Sequence, residues 1–193
     1  MNTQQFIGNY FEDLLARMFR LKRVDSNFSH KEPDLSNEEF CIEVKSSKYD
    51  NGGVIKRRQL RYLENFHLEC LYAFPYHELK TPVRKYYPSD RALLRAISLR
   101  SLYIFPLDVV KARYETSYKR PYPTGDDFVQ IRESLASGIF DDDADIWKRL
   151  HLTPGKYAKA HPLGTDIFIM AKNKHTLDAL LKGLTASYSE MGL

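Results

Sequence analysis

The sequence predicts an α/β fold with a mixed central β-sheet flanked by helices. Apolar residues recur with the 3.6-residue period of an amphipathic helix near both ends of the chain, at residues 6–19 and 177–188. Short apolar runs typical of strands occupy residues 40–45, 68–74 and 165–171. A helical pattern separates the first two runs, and a strand, helix, strand order favours a parallel pair of strands.

The N-terminal helix is the most regular element that the sequence predicts. Its apolar positions are Phe6, Ile7, Tyr10, Phe11, Leu14, Leu15, Met18 and Phe19. At 100° per residue, Glu12 falls beside the edge of this apolar stripe. Its carboxylate is therefore expected at the rim of the surface that the helix covers.

Three strands are expected after this helix, at residues 21–25, 29–35 and 40–45, with a turn at residues 36–38. Alternation along the third strand places Cys41, Glu43 and Lys45 on one face. If the hairpin loop consists of Asn37 and Glu38, then Asp34 lies across from Cys41 and shares the face of Glu43. A slip of one residue would separate the two acids.

A glycine-containing break at residues 50–53 precedes a helix expected over residues 54–66. Its apolar side holds Ile55, Leu60, Tyr62, Leu63 and Phe66, and Gln59 projects from the middle of that side. This glutamine either serves a site or satisfies buried backbone groups. The cations Arg57, Arg58 and Arg61 lie on the opposite side, with Lys56 near the boundary.

The remaining sequence predicts a helix at residues 90–99, a strand at 101–105, a helix opened by Pro106, a strand at 165–171 and a closing amphipathic helix. We therefore divide the chain into a core at residues 1–78 and a C-terminal α/β extension at residues 79–193, which completes the domain.

The composition is that of an ordinary globular chain, with 43% hydrophobic and 28% charged residues. No apolar run approaches the ~20 residues that a membrane span needs, and no secretory signal opens the chain. A cytoplasmic protein without a membrane partner is expected. Cys41 and Cys70 fall in apolar strands, which predicts reduced, buried cysteines.

Residues 80–122 are rich in both cations and tyrosines. Ten basic residues, among them Arg84, Lys85, Lys119 and Arg120, stand against three acidic ones. Aromatic side chains interleaved with cations can stack on bases and contact phosphates. This segment is a candidate nucleic-acid-binding region, together with Lys56, Arg57, Arg58 and Arg61. The alternative is a solvated basic face.

The acidic residues of the predicted hairpin suit phosphodiester hydrolysis, which needs charge neutralisation at the phosphate and an activated water. Asp34, Glu43 and the carbonyl of Val44 offer the hard oxygen ligands that Mg²⁺ prefers, with Mn²⁺ as a substitute. Lys45 lies on the face of Glu43, where it can orient or deprotonate the attacking water.

The segments Pro33-Asp34 and Ile42-Glu43-Val44-Lys45 closely resemble the signature of the PD-(D/E)xK nuclease superfamily. The resemblance covers residues 3–75 and implies a restriction-endonuclease-like core, Mg²⁺ and a DNA substrate. It gives Glu12 the place of a helical glutamate that supports the metal or its water. It also gives Gln59 the place of the glutamine that resolvase and exonuclease branches carry on the crossover helix. Glu38 and Glu39 compete with the hairpin acids as ligands.

Several functions remain compatible with these residues. Within the enzyme class, a junction resolvase, a restriction endonuclease and a repair nuclease all fit, and an endonuclease is expected. Outside it, the same fold can serve as a non-catalytic nucleic-acid-binding module or as an interaction protein. A homodimer is left open.

Overall fold

The protein is an α/β structure with a mixed central sheet flanked by helices, as the sequence predicts. We describe it from a computed structural model, which covers residues 3–24, 32–48, 51–79, 90–121, 126–140, 146–153 and 160–190. Within these ranges, no helix combines the length and apolar character that crossing a membrane requires.

Six α-helices are present in the described residues. They are α1 (Thr3–Phe19), α2 (Arg57–Glu64), α3 (Asp90–Ala96), α4 (Leu107–Thr116), α5 (Glu133–Ser137) and α6 (Lys174–Glu190), and a 3₁₀ turn (Gly138–Phe140) follows α5. The strands are β1 (Lys22–Arg23), β2 (Leu35–Ser36), β3 (Phe40–Val44), β4 (Ser47–Lys48), β5 (Gly53–Lys56), β6 (Glu69–Leu79), β7 (Ile97–Pro106), β8 (Arg120–Pro121), β9 (Asp127–Ile131), β10 (Trp147–Leu152) and β11 (Thr165–Met170).

The large sheet has eight strands in the order β1-β2-β3-β6-β7-β11-β10, with β4 also paired to β6. The first three strands are antiparallel, and β6 runs parallel to β3, as predicted for the crossover. β7 is antiparallel to β6 and parallel to β11. Strands from residues 1–78 and from residues 79–193 therefore share one sheet.

Two apolar clusters cover the two faces of this sheet. One cluster joins α1, α3 and α6 to the side of β3 that carries Phe40, Ile42 and Val44. The other joins α2, α4 and α5 to the side that carries Cys41. The alternation predicted for β3 is thus confirmed, because successive side chains of a strand point to opposite faces.

A second, three-stranded sheet corrects the prediction of a continuous helix over residues 54–66. Residues Gly53–Lys56 form β5, which pairs with β9, and β9 pairs with β8. The helix begins only at Arg57. β-branched Val54 and Ile55 favour a strand, and Ile55 pairs with Val129, a partner too distant in sequence for a local pattern to show.

Helix α6 packs closely against α1 at a pair of small residues. A Cβ placed on Gly183 would lie 2.5 Å from the carbonyl oxygen of Phe19. The hydroxyl of Ser187 has one proton to donate, and its oxygen lies 2.7 Å from the carbonyl oxygen of Arg17 and 3.0 Å from those of Met18 and Gly183. The last turn of a helix leaves carbonyl groups without partners, so Ser187 supplies part of the cap that α1 needs.

Candidate active site

The buried carboxylate of Glu43 is the centre of the candidate site. Glu43 lies on β3 and is only 4% exposed, although it is charged in its ordinary state. Its Oε1 accepts hydrogen bonds from the Nζ of Lys45, just past the end of β3, and from the Nε2 of Gln59 on α2. Three residues that the sequence assigned to one site therefore meet at one oxygen atom.

Asp34 joins this group through the backbone. Its Oδ2 accepts a hydrogen bond of 2.7 Å from the backbone nitrogen of Val44. The predicted hairpin register was wrong, because Ser36 rather than Asp34 lies across from Cys41. Four residues, 37–40, separate the paired Ser36 and Cys41 instead of the predicted two, and the side chain of Asn37 accepts hydrogen bonds from the backbone nitrogens of Glu39 and Phe40. The error is two residues, which keeps Asp34 on the face of Glu43.

Glu12 reaches the rim of the site from α1. Its Oε2 pairs with a guanidinium nitrogen of Arg23 on β1 at 2.8 Å, and Arg23 also contacts Asp13 and Asn9. The sequence carried no motif that marks Arg23, because its partner lies on another element. Arg23 therefore fixes the position of Glu12 beside the site.

Burial and the mutual repulsion of the acids shift the pKa values of the site residues. Burial, aided by the charge of Asp34, raises the pKa of Glu43 to about 7 against the opposing effect of Lys45. Burial first and Asp34 second also raise the pKa of Glu12. Burial alone would lower the pKa of Lys45, yet the neighbouring Glu43 and Asp34 carboxylates outweigh it and raise that pKa.

Tyr72 on β6 lies beside Glu43 in the parallel register and was not predicted as a site residue. Its side chain is fully buried, and its hydroxyl is without a hydrogen-bond partner in the described part of the chain. Burial raises the pKa of this hydroxyl well above its ordinary value. Cys41 and Cys70 lie on the same two strands with their sulfur atoms 2.9 Å apart, buried and unbridged as predicted.

The oxygen donors of this group suit a small divalent cation. Across the described ranges, no set of three or more His, Cys, Asp and Glu side chains is arranged to hold a metal ion. Mg²⁺ needs only one or two carboxylates, since it keeps several of its waters. Asp34 and Glu43 provide two, and a cation between them would offset the repulsion that raises the pKa of Glu43.

The described cations that were predicted to bind nucleic acid lie on α2 and on or next to the three-stranded sheet. Arg58 and Arg61 are exposed on α2, and Arg57 pairs with Asp127 at 2.8 Å. Lys56 ends β5. Arg120 is exposed on β8, and the Nζ of Lys119 lies 5.4 Å from the ring centroid of Tyr114. Arg84 and Lys85 lie outside the described residues.

Only some of the cations and tyrosines in the basic and tyrosine-rich segment are exposed. Arg100 pairs with Glu78 and Glu133, and Lys111 pairs with Glu64. Tyr103 and Tyr114 are buried, whereas Tyr118 is 83% exposed. The stretch from residue 90 to 121 therefore contributes both ion pairs inside the fold and a smaller exposed basic region.

We compared the chain with protein-family models, curated proteins and solved structures. No family model matches the chain, and neither a curated protein nor a solved structure matches it.

Proposed function

We propose that this protein is a Mg²⁺-dependent nuclease that hydrolyses phosphodiester bonds of DNA, with a restriction-endonuclease-like core. The observation that carries the proposal is the meeting of Lys45 and Gln59 at the buried carboxylate of Glu43. A buried acid held by two donors is costly for a fold to maintain, and such groups concentrate at functional sites.

The order of elements supports the same proposal. Helix α1 carries Glu12, and an antiparallel set of three strands follows, with Asp34 immediately before β2 and Glu43 on β3. Helix α2 with Gln59 then leads to the parallel strand β6. This is the order that the PD-(D/E)xK resemblance implies.

Asp34, Glu43 and the carbonyl of Val44 would hold Mg²⁺, and Mn²⁺ as a substitute. The bound ion supplies charge neutralisation at the phosphate and lowers the pKa of a coordinated water. Glu12, placed by Arg23, supports the metal or its water from the rim. The hydrogen bond of Val44 N–H to Asp34 fixes that acid relative to β3.

Lys45 acts on the developing charge, and Gln59 holds Glu43 in place. Lys45 donates to Glu43, which supports a role for its ammonium in orienting the attacking water and in stabilising negative charge at the phosphate. Gln59 donates to the same oxygen from α2 and positions Glu43. Lys45 adjoins the end of β3 and Gln59 lies on α2, so a regular element anchors each side chain and limits its motion during the reaction.

A cleavage panel tests this proposal. Duplex, single-stranded and four-way-junction DNA are incubated with the purified chain and Mg²⁺, beside Asp34→Asn, Glu43→Gln and Lys45→Met. We expect the wild type to cut at least one substrate, and we expect each variant to lose about 100-fold or more of that rate.

Matched controls are available on the same hairpin. Glu38 and Glu39 are exposed acids adjoining β3, so Glu38→Gln and Glu39→Gln remove the same charge outside the proposed site. These variants should cut at nearly the wild-type rate, and thermal unfolding checks that all variants fold. A wild-type chain that binds DNA but cuts none of the three would point to a non-catalytic binding module.

A further inference from the structure

The three-stranded sheet has an outward face that the sequence did not predict. Side chains on β5 and β9 alternate between buried and partly exposed positions, with Ile55, Val129 and Ile131 on the core side. The residues of the other face are Val54, Lys56, Phe128, Gln130 and Arg120.

One row of this face crosses all three strands. Lys56 is opposite Phe128 on β9, and Phe128 is opposite Arg120 on β8. Directly opposite residues of antiparallel strands point to the same side, and neighbouring strands lie about 4.8 Å apart. A partly exposed aromatic ring is therefore flanked on both sides by a cation, over a width of about 10 Å.

The charge of this face is positive. None of its five residues is acidic, and Arg120 donates to Gln130 on the same face at 3.0 Å. Asp127 alternates to the other side, where it pairs with Arg57. Tyr118, which is 83% exposed, lies two residues before Arg120 and is a second exposed aromatic residue close to β8 in sequence.

Strand β5, which supplies part of this face, adjoins the candidate active site along the chain. At one end of β5, a Cβ on Gly53 would lie 3.2 Å from the carbonyl oxygen of Lys45. At the other end, β5 runs directly into α2, which carries Gln59 to Glu43. Strand β5 therefore links the elements of the site to the sheet that carries this face.

We propose that this face binds single-stranded DNA, with the ring of Phe128 stacked on a base and Lys56 and Arg120 at neighbouring phosphates. Cations and aromatic rings combine in this way on proteins that bind single strands. In a duplex the bases are stacked inside, so the ring would have no partner. The inference rests on the proposed nuclease function and specifies its substrate as DNA with an unpaired segment.

Fluorescence anisotropy of the full chain in EDTA tests the proposal apart from cleavage. The probes are a labelled 20-nucleotide single strand of mixed sequence, its duplex and the matching RNA. We expect tighter binding to the DNA single strand than to the other two. Phe128→Leu keeps an apolar side chain but removes the ring, and it should weaken single-strand binding about fivefold or more while leaving duplex binding unchanged.

Variants of the two cations measure the contribution of phosphate contacts to binding separately from that of base stacking. Arg120→Gln and Lys56→Gln should each lower the slope of log affinity against log salt concentration by about 0.7 for the single strand. Lys148→Gln, an exposed lysine of β10, is the matched control and should leave the slope unchanged. Thermal unfolding verifies the fold of each variant.

Equal affinity for duplex and single strand, or a Phe128→Leu chain that binds the single strand like the wild type, would overturn the proposal. Tighter binding to RNA would overturn the assignment to DNA. These results are distinguishable from failure of the nuclease function. Binding of single strands through this face without cleavage of any DNA would contradict only the proposed hydrolysis. Cleavage of duplexes by a chain whose face does not bind single strands would contradict only this inference.

Discussion

His77 lies on β6, where its ring centroid is 5.1 Å from that of Phe11 on α1 and its surface is 4% exposed. Burial lowers the pKa of His77 to about 4, against an ordinary value of 6.5. Since the unfolded chain binds this proton more readily, His77 contributes stability above pH 6.5. That contribution is lost as the pH falls from 6.5 toward 4.

We expect the free energy of unfolding to fall by about 3 kcal/mol across this range because of His77 alone. Other groups titrate there too, so the comparison is with His77→Leu. Urea unfolding measures the free energy of unfolding of both chains at pH 7 and pH 4. Between these two pH values the wild type should lose about 3 kcal/mol more than His77→Leu does. A difference that does not change with pH would contradict the buried, neutral state of His77.

The residues of the candidate site were predictable where they lie on one strand or directly next to its end. Glu43 and Lys45 are two positions apart, and strand alternation places them on one face without any knowledge of the remaining chain. Asp34 required the hairpin register, which the length of the loop decides. Tyr72 and Arg23 contact the site through pairing between elements, and local sequence patterns do not record that pairing.

At the scale of elements, the contact between α1 and α6 depends on the absence of a side chain at Gly183. A methyl group there would lie too close to the carbonyl oxygen of Phe19, and both helices would have to move. Gly8, also in a helix, has no atom within 4 Å of the position that its Cβ would take. Gly8 is therefore a suitable control for a substitution at Gly183.

We expect Gly183→Ala to lower the free energy of unfolding by about 1–3 kcal/mol, because overpacking forces the helices apart. Gly8→Ala should raise it by up to about 1 kcal/mol, since alanine favours the helix. Chemical denaturation of both variants measures the difference. If both substitutions stabilise the chain, the close approach of α6 to α1 is wrong.

Elements with local periodicity were predicted well, and those defined by distant partners were not. Helices α1 and α6 follow from their 3.6-residue repeats, and β3, β6 and β11 follow from their apolar runs. β5 was assigned to a helix because its apolar residues also fit the periodicity of α2. Only its pairing with β9, more than 70 residues later, fixes it as a strand.

At the scale of the whole molecule, the proposed ion binds only to the folded state, because Asp34 and Glu43 come together through folding. When the free concentration of the ion is 100 times its dissociation constant, binding adds about 2.7 kcal/mol to the free energy of unfolding. For a chain of this size that is a rise of about 5–10 °C in the melting temperature.

We therefore expect Mn²⁺ to raise the melting temperature of the wild type but not of Asp34→Asn. Differential scanning fluorimetry with Mn²⁺, and with Ca²⁺ as a second cation, measures the effect without any cleavage. Glu38→Gln serves as the charge-matched control and should respond like the wild type. An equal rise in wild type and Asp34→Asn would place the ion elsewhere.

The hydroxyl of Ser187 hydrogen-bonds at the C-terminal end of α1, although Ser187 lies 170 positions after Arg17 in the chain. A ribosome adds about 5–20 residues per second, so roughly 10–30 s separate the synthesis of these two partners. Throughout that interval water must satisfy the end of α1, and the apolar stripe of the helix lacks α6. Helix α1 is therefore synthesised well before α6, and part of its apolar stripe stays uncovered until α6 is made.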